Sequence, residues 1–332
     1  MKTVLLSLFI LLGSQARASA EIYAKDTVLM GVSFSFAAVH QDRAFAELVL
    51  RKAVDEVIRI ERLISSWDPA SQTSAINAQA GIEAVKVDAE LIDLIERSKK
   101  ISRLSSGYFD ISFASIHKVW DFESFDQNTI PTKEEIARSI ALIDYQKIQI
   151  DREHGTVFLK EKGMRIGFGA IGKGYAADKV KALMVELGIE DGVVNAGGDL
   201  ISWGQRPDGK PWSVGISDPS DSRKIIARLQ ATNMAVVTSG NYRKYLEIDG
   251  KRYCHIIDPK TGWPVEQLAS VTIVTKDAEV ADALSTTVFV LGKIDGIELI
   301  NHLDGVECMV MDVDGKLYFS ENMIRPEVIS NE

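Results

Sequence analysis

Residues 167–178 read GFGAIGKGYAAD and place four glycines within eight residues, directly ahead of a helical pattern. Glycine lets a backbone approach a ligand closely and adopt positive φ. Apolar residues then recur at helical spacing as far as Leu187, and Gly188 ends the predicted helix. Backbone N–H groups and the positive end of the helix dipole would face one point, which suits a phosphate. A purely structural turn explains this stretch equally well.

Two nucleotide-binding motifs overlap in this stretch, and neither is complete. Gly167, Gly169 and Gly172 have the spacing of the dinucleotide fingerprint, but no strong strand precedes them. Glu186, at the distance of the expected acidic residue, falls inside the helix. A P-loop needs Ser or Thr at position 174, which is glycine. We therefore expect neither a Rossmann fold nor a nicotinamide oxidoreductase.

The N-terminus has the pattern of a secretory signal peptide. Lys2 precedes an apolar run from Val4 to Leu12, and an A-x-A cleavage pattern ends at Ala20. The run is too short to span a membrane. We predict that residues 1–20 are a signal peptide and that 21–332 form the mature domain, which has two lobes in an alternative interpretation. No cysteine follows the apolar run, so we expect a periplasmic protein without a lipid anchor.

Charge and cysteine content exclude several classes of protein. The chain has a net charge of −9, and removing Lys2 and Arg17 with residues 1–20 gives −9 − 2 = −11. Such an acidic chain is a poor partner for nucleic acid or anionic membrane. Cys254 and Cys308 are the only cysteines and have no metal-binding spacing. We interpret them as two buried thiols, with a disulfide as the alternative.

The order of predicted elements indicates an α+β fold. Helices and strands alternate without a regular βαβ period, which favours mixed sheets flanked by helices over a doubly wound sheet. The longest predicted helix runs from Asp42 to Ser65 and has one apolar stripe. Thr132 and Glu135 form a capping box at the start of another helix. Asp249-Gly250 predicts a tight hairpin.

One pair of polar residues is spaced for metal binding. Asp282 and Thr286 are four residues apart on the helix predicted over Ala278–Leu291, so they share a face. A carboxylate beside a hydroxyl suits a hard divalent cation, which prefers oxygen ligands. For the pair taken alone, an ordinary polar helix face, with Thr286 bonded to its own helix backbone, is the better explanation.

Further candidate residues stand at breaks in apolar runs. Trp67 lies in a polar turn, where an aromatic side chain often binds a ligand, although a buried core residue is the alternative. His255 lies in a strand that enters a sharp turn. Ser239, Asp199 and Asp110 each follow an apolar segment. Any one of them taken alone has an ordinary structural explanation.

Taken together, these segments resemble the ApbE family of FAD:protein FMN transferases. Seven motifs follow the family's order from about Met30 to Thr286, which is nearly the whole mature chain. The motifs are SWDP at 66–69, GYFD at 107–110, GKGYAAD at 172–178, NAGGD at 195–199, TSGNY at 238–242, HIIDPKTG at 255–262 and ADALST at 281–286.

The resemblance implies a Mg²⁺-dependent transfer of FMN from FAD to a threonine hydroxyl on a partner protein, with release of AMP. It implies metal ligands at the backbone carbonyls of Ala170 and Ser285 and at the side chains of Asp282 and Thr286. It also implies contacts with FAD along the chain. These map to Met30, Trp67, Asn77, Asp110, Lys173, Asp178, Gly198, Asp199, Ser239, His255 and Asp258.

His255 resembles the catalytically important histidine of the family. We predict that it takes the proton of the acceptor hydroxyl, with a nearby Asp as the alternative base. The implied partner is a threonine-bearing subunit of a membrane redox complex. Two other functions remain open at this level: an FAD pyrophosphatase, in which water replaces threonine, and a carrier that holds FAD without turnover.

Overall fold

A computed structural model describes residues 20–120, 122, 129–219, 221, 223–242 and 244–328. The predicted signal peptide, apart from Ala20, lies outside these residues. Within the described ranges, no helix has the length and apolar character needed to cross a bilayer.

A large antiparallel sheet runs through the centre of the fold. Its eight strands follow the order β1-β2-β6-β7-β10-β13-β14-β15, and three smaller sheets have the orders β16-β9-β8, β3-β5-β4 and β11-β12. The described strands are β1 Glu21–Leu29, β2 Val32–His40, β3 Val85–Lys86, β4 Ile148–Asp151, β5 Thr156–Leu159, β6 Gly192–Ala196, β7 Asp199–Trp203, β8 Ser213–Ser217, β9 Ile225–Gln230, β10 Ala235–Gly240, β11 Tyr245–Ile248, β12 Lys251–Cys254, β13 Leu268–Thr275, β14 Glu307–Asp312, β15 Leu317–Phe319 and β16 Glu327–Val328.

Helices α1, α5 and α6 pack together, and each also contacts the large sheet. The described α helices are α1 Arg43–Ile64, α2 Gln72–Ala78, α3 Ala89–Leu104, α4 Lys133–Ile140, α5 Gly172–Glu186, α6 Ala278–Leu291 and α7 Lys293–Asn301. Two 3₁₀ segments cover Ile111–Lys118 and Tyr145–Lys147. The predicted α+β class is therefore confirmed, and the strand pairs in the described residues are antiparallel rather than Rossmann-like.

Local signals in the sequence account for several of these elements. The side chain of Asp42 accepts a hydrogen bond from the N–H of Phe45 at 3.1 Å, so α1 begins where the apolar stripe begins. Thr132 and Glu135 form the predicted capping box of α4. Asp249 and Gly250 have φ of +52° and +75°, as a tight hairpin between β11 and β12 requires.

The two faces of the large sheet contribute to different hydrophobic clusters. On β13, Val271 and Ile273 belong to the main core, whereas Val274 packs against a smaller cluster that includes Ile216 and Leu229. This follows from the period of two along a strand. The sheet is thus covered on both faces at β13.

A third cluster lies beside the main core, and we call it the satellite cluster. It consists of Ile116, Trp120, Phe122, Leu246, Ile248 and Tyr253. The indole N–H of Trp120 donates to the carbonyl of Gly262 at 2.9 Å. This bond ties the satellite cluster to the turn that follows His255.

Both cysteines are buried free thiols, as the sequence indicated. Burial raises the pKa of Cys254 and of Cys308 to about 11. Both thiols are therefore protonated at neutral pH, which makes them poor nucleophiles.

Candidate active site

A cleft of about 1010 Å³ opens where the ends of several elements meet. Its walls come from the β1–β2 turn, the end of α1, the glycine-rich stretch 167–173, the end of β10, the segment 255–259 and one face of α6. This volume lies at the upper end of the range for small-molecule and cofactor pockets, about 300–1,000 Å³.

Ten of the residues predicted from the sequence line this cleft. They are Met30, Trp67, Asp110, Ala170, Lys173, Asp199, Ser239, His255, Asp282 and Thr286. These residues come from distant parts of the chain, so the fold brings most of the predicted site to one place.

A lysine between two buried carboxylates forms the charged centre of the cleft. Asp199 and Asp282 are each 2% exposed. The Nζ atom of Lys173 lies 2.9 Å from Oδ2 of Asp199 and 3.1 Å from Oδ1 of Asp282. One cation thus balances part of the charge of two acids that are otherwise shielded from water, as buried charges require.

The ionisation of this group is set by burial and by mutual charge. Burial, followed by the charge of Asp282, raises the pKa of Asp199 to about 7, while Lys173 acts in the opposite direction. Burial alone would lower the pKa of Lys173, but Asp199 and Asp282 outweigh it and raise that pKa. Lys173 is therefore a permanent cation at neutral pH.

Hydroxyl groups on α6 and β10 form a hydrogen-bonded group beside this charged centre. The Ser239 hydroxyl lies 2.8 Å from the Ser285 hydroxyl and 3.4 Å from that of Thr286. The Ser285 hydroxyl also donates to the carbonyl of Asp282 at 2.9 Å. The helix spacing thus places the carboxylate of Asp282 and the hydroxyl of Thr286 on the same wall of the cleft, as predicted.

These donors fit a hard divalent cation. Asp282, Thr286 and the backbone of Ala170 offer oxygen atoms, the ligand type that Mg²⁺ prefers. Within the described ranges no cluster of three His, Cys, Asp or Glu side chains has metal-binding geometry. This donor set matches a cation whose ligands are one carboxylate, neutral oxygens and the phosphates of a bound substrate.

The glycine-rich stretch directs its helix N-terminus toward a protein carboxylate. The N–H of Gly174, in the first turn of α5, donates to Oδ2 of Asp282 at 3.1 Å. A Cβ atom at position 174 would lie 2.1 Å from the carbonyl oxygen of Ala278 and 2.8 Å from Cβ of Asp282. Glycine is therefore required because α5 and α6 touch here, and this N–H orients Asp282 rather than a phosphate.

His255 is held by the backbone of a neighbouring segment. The backbone N–H of His255 donates to the carbonyl of Lys244 at 3.1 Å, and the ring atom Nδ1 lies 3.0 Å from the same oxygen. Because a carbonyl only accepts, Nδ1 carries the hydrogen in this contact, and Nε2 is the unprotonated nitrogen of the neutral ring. This tautomer suits a general base.

Trp67 is exposed at the cleft, which excludes the alternative of a buried core residue. Its side chain is 60% exposed. The hydroxyl of Ser65 accepts hydrogen bonds from the N–H groups of Trp67 and Asp68 at 3.2 and 3.0 Å. The guanidinium of Arg165 donates to the carbonyl of Ser66 at 3.1 Å. The turn is thus fixed while its aromatic ring faces solvent.

Arg165 lines the cleft and was not singled out in the sequence. It lies two residues before Gly167, and this position beside the glycine-rich stretch is the feature of the sequence that indicates it as a candidate site residue. The hydroxyl of Ser115 accepts its N–H at 2.9 Å, which fixes its backbone.

Asp110 lines the cleft, but its carboxylate is engaged by the protein. It accepts hydrogen bonds from the N–H and hydroxyl of Ser112 and from the N–H of Tyr145, at 2.8, 2.6 and 2.7 Å. Burial raises the pKa of Asp110 even though these three donors lower it. The carboxylate joins the cleft-lining segment at Asp110 to the 3₁₀ segment that begins at Tyr145.

Four residues for which the resemblance implied contact with FAD do not line the cleft: Asn77, Asp178, Gly198 and Asp258. The Asn77 amide is bonded to the backbone of Ile166 at 2.9 and 2.7 Å. The Asp258 carboxylate accepts the N–H of Lys260 at 2.8 Å. The side chains of Asn77 and Asp258 are thus engaged by backbone groups, and Gly198 has no side chain.

Asp178 is likewise turned away from the cleft. Its Oδ1 and Oδ2 atoms accept hydrogen bonds from the N–H groups of Ala278 and Glu279 at 3.0 and 2.8 Å. Burial raises the pKa of Asp178 to about 6 although both N–H groups lower it. The contact that Asp178 makes is with the start of α6.

Comparison with known proteins shows the family of the chain. The ApbE family profile matches residues 30–310. A protein of Klebsiella pneumoniae named FAD:protein FMN transferase is 30% identical over 290 residues, which cover 87% of this chain and 88% of that protein. The chain belongs to the ApbE family, and the family predicted from the sequence is confirmed.

Solved structures give the same result. The crystal structure of the ApbE protein of Thermotoga maritima superposes with a TM-score of 0.84 at 30% identity, covering 91% of this chain and 97% of that one. The flavin transferase ApbE of Vibrio cholerae superposes with a TM-score of 0.82 at 25% identity, covering 91% and 98%. The predicted class of enzyme, a flavin transferase, is confirmed with the fold.

Proposed function

We propose that this protein transfers FMN from FAD to a threonine hydroxyl of an acceptor protein, with Mg²⁺ as cofactor and AMP as the leaving product. The observation that carries the proposal is the meeting of His255, Lys173, Asp282 and Thr286 in one cleft. A base, a fixed cation and hard-metal donors are what phosphoryl transfer from a pyrophosphate needs.

The reaction is a substitution at the phosphorus of the FMN half of FAD. The threonine oxygen forms a bond to this phosphorus, and the bond from phosphorus to the bridging oxygen breaks. The threonine proton goes to Nε2 of His255, and AMP leaves with the bridging oxygen. Because threonine is a weak nucleophile, a positioned base is expected to raise the rate by about 10²–10⁴-fold.

The remaining residues neutralise and orient the substrate. Lys173 supplies a permanent positive charge, and its two contacts with Asp199 and Asp282 limit the movement of its ammonium group. Asp282, Thr286 and the carbonyls of Ala170 and Ser285 would hold Mg²⁺, which supplies charge neutralisation at the phosphates. Trp67 offers an exposed aromatic surface at the cleft for a ring of the flavin dinucleotide.

The test is to incubate the purified protein with FAD, Mg²⁺ and a threonine-bearing acceptor domain. We expect flavin fluorescence to stay on the acceptor in a denaturing gel, with one AMP released per flavin attached. EDTA, Asp282→Ala or replacement of the acceptor threonine by Ala should abolish labelling. AMP and free FMN without labelling would instead indicate a pyrophosphatase, and bound FAD without AMP would indicate a carrier.

We further propose that the enzyme acts in the periplasm on a subunit of a membrane redox complex. The support is the signal-peptide pattern of residues 1–20, together with the acceptor class that the family resemblance implies. Expression of the full chain followed by fractionation and N-terminal sequencing tests the location. A mature chain that begins at Glu21 in the periplasmic fraction is expected, and an uncleaved cytoplasmic chain would contradict the proposal.

A further inference from the structure

The helix that carries Asp282 and Thr286 is not capped by its own preceding residue. Asp277 occupies the N-cap position of α6, yet its side chain makes no capping hydrogen bond within the described residues. Aspartate at this position normally accepts an N–H of the first turn. The sequence therefore offers a local cap that the fold does not use.

Asp178 supplies the cap from another helix. It lies on α5, 100 residues earlier in the chain than Ala278, and each carboxylate oxygen accepts one N–H at the start of α6. These two groups have no partner within the helix, because the first N–H groups of any α helix have none. A carboxylate is also favoured at the positive end of the helix dipole.

The same two helices are joined a second time, one turn earlier on α5. Gly174 donates to the carboxylate of Asp282 at 3.1 Å, and its missing side chain lets the backbones approach. Asp178 lies four residues after Gly174, and Ala278 lies four residues before Asp282. The two contacts therefore set both the separation of α5 and α6 and their shift along the helix axis.

A third helix supports the capped end. The side chain of Glu279 accepts the Nε–H of Arg97, on α3, at 2.7 Å. The guanidinium of Arg97 lies 5.6 Å from the ring centre of Tyr175, on α5. Glu279 is thus held through its backbone by α5 and through its carboxylate by α3.

We propose that Asp178 is a positioning residue, which fixes the start of α6 so that Asp282 and Thr286 face the cleft at the spacing a divalent cation requires. The inference rests on the proposed function, since it needs the cation to bind at Asp282 and Thr286. Asp178 acts through the backbone of α6 and does not itself touch the cleft. This role explains why a carboxylate stands here although it lies outside the cleft lining.

The test measures cation binding by the full chain directly, with Mn²⁺ titrated in the presence of FAD. We expect Asp178→Ala to weaken Mn²⁺ binding by about 10-fold, the lower end of the effect seen when a residue supporting a metal ligand is removed. Asp178→Asn keeps one acceptor oxygen, so its Mn²⁺ binding should weaken less, by about 3-fold. The matched control is Asp277→Ala, which removes a carboxylate from the same helix end and should change binding less than about 2-fold.

Transfer kinetics separate positioning from general loss of structure. At saturating Mg²⁺, Asp178→Ala should recover a kcat close to that of the unaltered enzyme, while the Mg²⁺ concentration needed for half activation rises about 10-fold. The KM for FAD should stay unchanged. Unfolding curves set the temperature of the assay so that each variant is folded, and Asp178→Asn carries the test where Asp178→Ala does not fold.

Asp282→Ala serves as the reference that distinguishes loss of the metal site from loss of its positioning. Unchanged Mn²⁺ binding in Asp282→Ala would overturn the metal site of the proposed function. Lost binding in Asp282→Ala together with unchanged binding in Asp178→Ala would overturn the positioning role alone. A defect in Asp178→Ala that excess Mg²⁺ does not relieve would also overturn it.

Discussion

At the scale of single residues, backbone contacts decide what the polar side chains of the cleft can do. The carbonyl of Lys244 selects the tautomer of His255. Lys173 balances the charge of Asp199 and Asp282. Residue type alone would allow His255 either neutral tautomer, and the contact with Lys244 selects one, while the two carboxylates keep Lys173 charged.

The general-base role of His255 gives the first prediction. His255→Gln keeps a polar side chain of similar length but cannot take the acceptor proton, so the transfer rate should fall by about 10²–10⁴-fold. FAD affinity, measured by fluorescence titration, should change less than about 3-fold because the base is not needed for binding.

A second histidine provides the control for this prediction. His302 also has Nδ1 against a backbone carbonyl, that of Glu298 at 2.7 Å, but it does not line the cleft. His302→Gln should therefore transfer FMN at the normal rate. A normal rate in His255→Gln would remove His255 from the role of base.

The raised pKa of Asp199 gives a second prediction. The folded protein holds this proton up to about pH 7, whereas the ordinary pKa of the group is 3.8. Between these values the folded state binds more protons than the unfolded state, so the free energy of unfolding falls as pH rises. The stability that this bound proton contributes is fully present below pH 3.8 and is lost above about pH 8.

Asp199→Asn removes this titration. In urea unfolding from pH 4 to 8, we expect the stability of the unaltered protein to decline relative to that of the variant as pH rises. Asp277→Asn alters an exposed carboxylate and should run parallel to the unaltered protein. A difference between Asp199→Asn and the unaltered protein that does not vary with pH would contradict the assignment.

At the scale of elements, the contact of α5 with α6 organises the cleft. The glycine-rich stretch ends in Gly174, which permits the approach, and Asp178 then holds the far helix by its first turn. The polar wall of the cleft therefore depends on the packing of two helices that also lie against the large sheet.

Gly174→Ala tests this contact. The added methyl group would meet the backbone of Ala278, which cannot move aside without shifting α6. We expect the free energy of unfolding to fall by about 1–3 kcal/mol, the usual cost of overpacking, and divalent cation binding to weaken with it.

Gly169→Ala makes the same change in the same stretch as a control. Its added methyl group would meet only Phe113, at 3.9 Å, which is an ordinary contact distance. Its stability should stay within about 0.5 kcal/mol of the unaltered protein. Equal losses in both variants, measured by chemical unfolding, would show that the α5–α6 approach is not the cause.

At the scale of the whole molecule, two packing units support the cleft. Asp282 stands on a helix of the main core. His255 lies between Cys254 and Ile256, which also belong to the main core, while Tyr253 of the satellite cluster precedes it by two residues. The segment that carries His255 is therefore supported by both packing units.

Trp120→Ala probes the satellite cluster. Trp120 is 1% exposed, so its truncation should cost about 3–5 kcal/mol of stability, as for other buried aromatic side chains. In the protein that remains folded at low temperature, transfer should decline because the segment carrying His255 loses the support of the satellite cluster. Cation binding by α6 should be preserved.

Trp67→Ala is the matching control for this prediction. Its exposed ring should contribute less than about 0.5 kcal/mol to stability, while FAD affinity falls because the ring lines the cleft. Parallel loss of cation binding and transfer in Trp120→Ala would mean that the two packing units are not separable.

Spacing and motif order along the chain predicted the α+β class, the family and ten of the residues that line the cleft. Signals that act over a few residues carried this information. The cap at Asp42, the capping box at Thr132 and the hairpin at Asp249 are examples, because neighbouring residues alone fix their hydrogen bonds. The motif order supplied the family, since each motif can be read without knowledge of its contacts.

The partner that each polar group takes depends on the tertiary structure. Asp277 had the local position to cap α6, and Asp178 caps it instead from 100 residues away. Asn77 bonds to Ile166 across 89 residues, and Gly174 aims its N–H at Asp282. A hydrogen bond depends on distance and direction in space, and spacing along the chain reports neither when the partners lie on separate elements.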